Sequence, residues 1–385
     1  MNICLLGYEN LPVLAPEYSQ HGVGGEPVQQ TLLARALAKR GHEVSMVVLD
    51  YGQRDGCEWD GIRTYRAFRP QAGMPVLRFI HPRWTETWSA LARANADVYY
   101  TSCAGMHVGL VAMFCHRHRK RFVFRTASDA DCDRSRVRTF VRFARDRWLY
   151  AYGLRRADAV LVQSITQART LARSFSLASR VAGMLVEQAQ PCSAKEIDVL
   201  WVGNIKQVKR PDRVLDLALK LPHVRVHVVG GPTHGEEALF QHFARAAATR
   251  PNLVFHGPLS YRDTNRLYDR ARVLVNTSDV EGFPNVYLQA WVRGVPVVTL
   301  IDPDGVIARE GLGIRAGAPE LVPAAVRSLL VDTAAWQAAS ERCRAFMDQR
   351  YGEDAVLADY LGTFAEVLRG GCRHRSILAA SEHHV

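Results

Sequence analysis

The chain has 385 residues, too many for one ordinary hydrophobic core, so two domains are expected. Hydrophobic residues at 48% and charged residues at 23% fit a globular protein, and no apolar run reaches the ~18 residues of a membrane-spanning helix. Eight scattered cysteines without a Cys-x-x-Cys pair exclude a zinc framework and a secreted disulfide scaffold. The excess positive charge lies in the first half: residues 1–194 hold 26 Lys and Arg against 16 Asp and Glu, the remainder 23 against 22. Such asymmetry points to an anionic partner for the first half, either a lipid surface, a pyrophosphate-linked acceptor or a nucleic acid. No basic motif with interleaved stacking aromatics accompanies the charge, so nucleic acid is not expected.

In chain order, residues 3–7 read as a first strand rather than a basic leader, which predicts a cytoplasmic protein. A helical stripe of Val28, Leu32, Leu33, Ala36 and Leu37 follows over 27–40 and ends at Gly41. Further strands are predicted at 44–49, 98–100, 122–124 and 159–162. Over 134–152, Val137, Phe140, Val141, Ala144, Trp148 and Tyr152 keep helical spacing beside a stripe of Arg138, Arg142 and Arg145. That helix either lies on an anionic membrane surface or packs its apolar stripe on the core with solvated arginines. The pattern pauses near Cys192 and restarts with strands at 197–202, 224–229, 253–255, 273–275 and 295–300. Strand–helix alternation in both sets predicts an α/β protein of two doubly wound parallel-sheet domains. The expected boundaries are 1–194 and 195–350, then a helix over 351–370 and a tail over 371–385.

Three loops carry candidate chemistry. Asp279-Val280-Glu281-Gly282-Phe283-Pro284-Asn285 stands where a buried strand ends and a helix begins, the edge at which open α/β sheets bind ligands. There Glu281 is either a ligand-binding carboxylate or a helix-capping acid. His21-Gly22-Val23-Gly24-Gly25-Glu26 opens the first helix and reads as a phosphate loop or a flexible turn. Val202-Gly203-Asn204-Ile205-Lys206-Gln207-Val208-Lys209-Arg210 is a basic loop after the first strand of the second set.

The run Glu-Gly-Phe-Pro-Asn-Val-x-Leu-x-Ala at 281–290, followed by Gly-x-Pro-Val-Val at 294–298, resembles the signature of the family-four retaining glycosyltransferases. The resemblance implies the GT-B fold, two Rossmann-like domains facing across a cleft, with the acceptor on the first and a nucleotide sugar on the second. It implies a retaining transfer that needs no cofactor and no metal, a UDP- or GDP-sugar donor, and a lipid-linked or glycan acceptor of cell-surface polysaccharide synthesis. The scattered cysteines, the charge asymmetry and the 134–152 pattern add an expected place in the cytoplasm, peripheral on the inner face of the membrane.

Residue by residue, Glu281 takes the first position of the family's Glu-x7-Glu and would stabilise positive charge near the anomeric carbon. Gln289 takes the second, a departure that loses the carboxylate charge. The Phe283-Pro284-Asn285-Val286 turn would face the leaving diphosphate through the amides of Phe283, Asn285 and Val286. Lys209 matches the lysine of Gly-Arg-x-x-x-x-Lys, and Asn204 replaces its arginine; Lys206 and Arg210 are the cations able to step in. Gly24 and Gly25 match the Gly-Gly loop that faces donor phosphate and acceptor. Gly230 and the 256–258 turn would line the base pocket, or are ordinary strand-to-helix turns. The family's histidine after the 122–124 strand is missing, and Asp129 is the nearest candidate for its role. Three departures leave a catalytically silent nucleotide-binding scaffold as an alternative, and a nucleotide-sugar epimerase as another.

Overall fold

The protein is described from a computed structural model covering residues 1–18, 24–75, 77–189 and 195–371. Two compact units emerge: Met1–Leu185 together with the C-terminal helix Glu353–Leu368, and Val186–Gly352. Each is built on a mainly parallel sheet whose central strands are buried on both faces, as burial between two helical layers requires.

The first unit contains β1 (Asn2–Leu6), β2 (Glu43–Val48), β3 (Glu58–Trp59), β4 (Ile62–Arg66), β5 (Val98–Ser102), β6 (Arg121–Arg125), β7 (Ala159–Val162) and β8 (Arg180–Val181). Their order is β3-β4-β2-β1-β5-β6-β7-β8, parallel throughout except for β3, which pairs antiparallel with β4. The second unit contains β9 (Ile197–Val202), β10 (Val226–Val229), β11 (Leu253–Phe255), β12 (Ala271–Asn276), β13 (Val297–Thr299) and β14 (Gly313–Arg315), in the order β11-β10-β9-β12-β13-β14. That is the 3-2-1-4-5-6 winding of dinucleotide-binding sheets, and the six strands β4-β2-β1-β5-β6-β7 of the first unit repeat it. The winding direction reverses between β1 and β5 in one unit and between β9 and β12 in the other. Loops leaving the carboxyl ends of those four strands are therefore the natural ligand positions. The two α/β domains expected from strand–helix alternation are present.

The 134–152 expectation is corrected. Two helices, Arg134–Phe140 and Ala144–Arg156, replace the single one, separated by Val141 to Phe143, of which Val141 and Phe143 are extended. The second helix is held by its own register, with Leu149, Tyr150, Gly153 and Leu154 buried. At Gly153 a Cβ would lie 2.4 Å from the Val108 carbonyl oxygen, so only glycine permits this close crossing with helix Met106–His118. Val137 and Val141 are buried, whereas Phe140 and Trp148, placed by spacing on the same stripe, stand exposed.

In the second unit a buried ion pair ties helix Tyr261–Arg270 to the turn that follows helix Asn285–Trp291. Arg293, 2% exposed at its side chain, donates from Nε to Asp269 at 2.8 Å and from Nη1 to the Gln289 carbonyl at 3.0 Å. Asp269→Ala strands the guanidinium without its counter-charge, and the expected cost is about 3–5 kcal/mol in urea denaturation. Asp212→Ala, which breaks an exposed pair with Arg210, should cost no more than about 1 kcal/mol. Equal effects from the two would contradict this account.

Candidate functional site

Adjacent strands β9 and β12 deliver two loops to one place. After β9 the chain makes the short turn Gln207–Lys209, with Arg210 in the left-handed region at φ 50°. After β12 it runs through Thr277 to Pro284. Main-chain and side-chain bonds fasten the loops together. The Asp279 amide donates to the Val208 carbonyl at 2.9 Å, and the Thr277 hydroxyl donates to the Lys209 carbonyl at 2.8 Å. The Trp201 indole donates to Thr277 Oγ1 at 2.9 Å, and Arg213 bridges the Thr277 carbonyl and Asp279.

On this frame the Lys209 ammonium meets the Glu281 carboxylate in a charge-assisted hydrogen bond. Glu281 Oε1 also accepts from Ser278 Oγ at 2.6 Å and from Asn276 Nδ2 at 3.3 Å. Burial alone would raise the Glu281 pKa. The Lys209 charge and the bonds from Lys209, Ser278 and Asn276 outweigh it and hold the carboxyl below its ordinary value. Glu281 therefore stays ionised in a mostly buried position, its side chain 12% exposed. It does not cap the next helix: Asn285–Trp291 starts at Pro284 without a side-chain cap.

The remaining second-unit candidates are placed as follows. Phe283 is buried and packs edge-on against Trp291, while Asn285 and Val286 open the seven-residue helix. Gln289 is buried in its second turn. Asn204 leaves β9 beside Gly231. A Cβ on Gly230 would sit 2.1 Å from the Gly203 carbonyl oxygen, so packing of β10 against the β9 loop already requires glycine there. Arg210, named as a substitute cation for Asn204, has its guanidinium engaged by Asp212 at 2.6 Å and Asp279 at 3.5 Å.

In the first unit Gly24 and Gly25 begin helix Gly25–Lys39, two residues ahead of the predicted start; His21 and Gly22 lie outside the described residues. A Cβ at Gly24 would meet only Pro27 at 3.9 Å, so local packing makes no demand for glycine at this position. Sequence reasoning missed Glu26 on the same turn. Its carboxyl is bound by Ser102 and Gln30, and burial pushes it up to about 7 against those hydrogen bonds. The signal was adjacency: an acid directly after two glycines at the mouth of a helix.

The three aspartates after β6 go separate ways. Asp129 accepts from Gln167 Nε2 at 3.0 Å and lines a cavity of about 150 Å3 with Cys132, Asp133, Arg136, Gln167 and the hydroxyl-bearing Thr166 and Thr170. Asp131 is buried and gathers the amides of Ala104, Ala127 and Ser128 at 2.7–3.1 Å. Asp133 caps helix Arg134–Phe140 through the Ser135 amide. Among the described residues no three His, Cys, Asp or Glu side chains come together as metal ligands.

Two winding-related α/β units and a lysine–carboxylate pair at a switch point define a GT-B scaffold, and comparison with known proteins gives the family. Residues 196–332 match Glycosyl transferases group 1, and residues 24–183 match Glycosyl transferase 4-like domain. The chain belongs to the group 1 glycosyltransferases of the family-four type. D-inositol 3-phosphate glycosyltransferase of Mycobacterium sp. (strain KMS) is 36% identical over 107 residues. That stretch covers 27% of this chain and only 24% of the mycobacterial protein. Sucrose-phosphate synthase of Thermosynechococcus elongatus has the same fold at a TM-score of 0.73 and 18% identity, covering 96% of this chain and 99% of that one. The Anabaena protein HepE, in complex with UDP and glucose, gives 0.70 at 14% identity over 95% and 99%.

The depressed Glu281 carboxyl has a pH signature. An acid held below its ordinary pKa contributes stability that is present above the unfolded value and lost as pH falls through the folded one. Lys209→Met removes the leading stabiliser of the anion, so the folded pKa rises towards or past the unfolded value, and the variant should be less stable at pH 7 yet lose less stability on acidification. Thermal melts from pH 7 to pH 3 check this; an equal acid loss in the two proteins would contradict it.

Proposed function

We propose that this protein transfers a glycosyl group from a nucleotide sugar, with retention of anomeric configuration and without a metal ion. The observation that carries the proposal is the Lys209–Glu281 pair, built from two fastened loops at the switch point of the second unit. An ammonium there counters the negative charge gathering on a departing diphosphate. A carboxylate kept ionised beside it counters the positive charge growing at the anomeric carbon. In the transfer the bond from anomeric carbon to diphosphate oxygen breaks and a bond to the acceptor oxygen forms. The acceptor's hydroxyl proton leaves with the diphosphate. The hydrogen-bond partners of Glu281 among the described residues are a lysine, a serine and an asparagine, not a second carboxyl. That arrangement disfavours two-carboxylate glycoside hydrolysis. The UDP and glucose bound in HepE, and the UDP bound in the Staphylococcus aureus protein TarM, favour a UDP-sugar over a GDP-sugar donor.

For the acceptor we propose a lipid-linked or polysaccharide-precursor glycan at an anionic membrane surface, with Asp129 and the neighbouring cavity on the acceptor side. No helix among the described residues is long and apolar enough to cross a membrane. A surface patch of the first unit supports docking on one. Phe140, Phe143 and Trp148 are 53–61% exposed, and Met74, Leu77 and Ile80 of a second segment 53–66%. Arg145 joins the segments, its guanidinium 3.3 Å from the Phe79 ring centroid and 5.7 Å from that of Phe143. Residues 134–156 carry eight arginines and one acid, Asp146, which Arg145 engages at 2.9 Å. Exposed aromatics interleaved with arginines match the interface of an anionic bilayer.

Glu281→Gln keeps shape and removes charge, so turnover should fall on the order of 100-fold with the fold intact. Near-normal sugar transfer by that variant would overturn the catalytic assignment. Replacing Arg138, Arg142 and Arg145 with Gln should cost roughly 3 kcal/mol of binding to phosphatidylglycerol vesicles at low salt. An unmodified protein that stays in the supernatant under those conditions would refute membrane docking and leave a soluble acceptor.

A further inference from the structure

The loop that carries Lys209 is also held by a strap after β10, which the Lys209–Glu281 pair does not explain. The strap runs alongside the β9 loop: the Ile205 amide donates to the Gly231 carbonyl at 2.9 Å, and Pro232 forms a parallel bridge with Ile205. A turn over Thr233 to Glu236 follows. It is closed by the Glu236 amide on the Thr233 carbonyl at 2.9 Å, with Gly235 left-handed at φ 86°. The Gln207 amide then donates to Glu236 Oε2 at 2.5 Å. Among the described residues that amide is the hydrogen-bond partner of the Glu236 carboxylate, and no lysine or arginine pairs with it. Helix Glu237–Ala248, which begins there, makes no use of this carboxylate. Glu236 gives it no side-chain cap, and the Gly235 amide is taken by Glu237 at 3.0 Å.

A carboxylate seated on a loop amide marks a place that takes an anion. Gln207 stands two residues before Lys209, on the loop that meets a departing diphosphate in the reading above. A phosphate brought to Lys209 therefore comes up against the Glu236 charge, and two anions on one short loop repel each other. The seat is also imperfect. Thr233 Oγ1, in the same turn, is buried without a hydrogen-bond partner among the described residues, so lifting the turn frees a hydroxyl that is unpaired where it stands. We propose that Glu236 is an internal anion that competes with the donor diphosphate for the β9 loop and so sets nucleotide affinity. In the exchange a phosphate oxygen takes the Gln207 amide and the carboxylate gives it up. The inference rests on the nucleotide-sugar reading above.

Calorimetric titration of the full chain with UDP and GDP, at low and at high salt, tests it. Glu236→Gln keeps the shape and removes the charge. At low salt it should bind the nucleoside diphosphate about 5-fold more tightly than the unmodified protein, the scale of one exposed charge pair. High salt should shrink the gain, because exposed charges are screened. Glu320→Gln removes the same charge from an exposed turn beyond β14, three strands from β9, and should change affinity by less than about twofold. Unchanged or weaker binding by Glu236→Gln overturns the competition and leaves Glu236 as a brace for the loop. An equal gain from Glu320→Gln overturns it too, by reducing the effect to net charge. No binding of either nucleotide, by the unmodified protein or by Glu236→Gln, overturns the transferase reading and the competition with it.

Discussion

The pairing of Lys209 with Glu281 depends on how firmly two loops are held to each other before any ligand arrives. An ionised carboxylate in a largely buried position is unfavourable unless counter-charge and donors surround it. Here the donors are fixed by backbone rather than by chance rotamers: Ser278 follows Asn276, whose own Oδ1 accepts the Ser278 amide at 3.0 Å. Lys209 is fixed from the other side, since its carbonyl is bound by Thr277 and the neighbouring Val208 carbonyl by Asp279. The outer cations Arg210 and Arg213 are spent on Asp279 and Asp212, which leaves Lys209 as the ammonium presented to Glu281. Preorganisation of this kind places charge where a reaction would develop it, with little reorganisation left to supply.

The same winding is fitted out differently in the first unit. Its switch point, between β1 and β5, carries a hydrogen-bonded chain from Glu26 through Ser102 and Gln30 to Asn10. Arg125 ends β6 in register with Ser102 and is almost fully buried beside Tyr100 and Tyr360. Asp131 anchors the loop after β5 to the loop after β6 through three amides. Loops here are shaped by buried carboxyls, whereas a salt bridge shapes those of the second unit.

Much of this was legible in sequence because parallel strands covered on both faces are continuous apolar runs, as in Ile3 to Leu6 and Val273 to Val275. Strand β4 escaped because Ile62-Arg-Thr-Tyr-Arg alternates, and β14 because Gly313 opens a three-residue edge strand. The break at Val141 to Phe143 escaped for a different reason: helical spacing continues through it, and only the packing of Gly153 shows that the second helix keeps another register. Lys209 and Glu281 were each visible through motif position, yet their meeting is a property of sheet order. Glu236 had no sequence signal, since its partner, the Gln207 amide, is set by the fold alone.

The C-terminal helix has a consequence for how the chain is made. Tyr360 and Phe364 pack on Tyr100 with ring centroids 6.3 Å apart, Tyr360 donates to the Gly183 carbonyl, and Glu366 pairs with Arg180. These residues finish the core of the first unit but are synthesised after the whole of the second. During translation from the N-terminus, Val186–Gly352 therefore has every segment it needs before its predecessor does, inverting the usual order in which domains mature. A free chain ending at residue 352 would hold every segment of the second unit and a first unit with Tyr100 still uncovered.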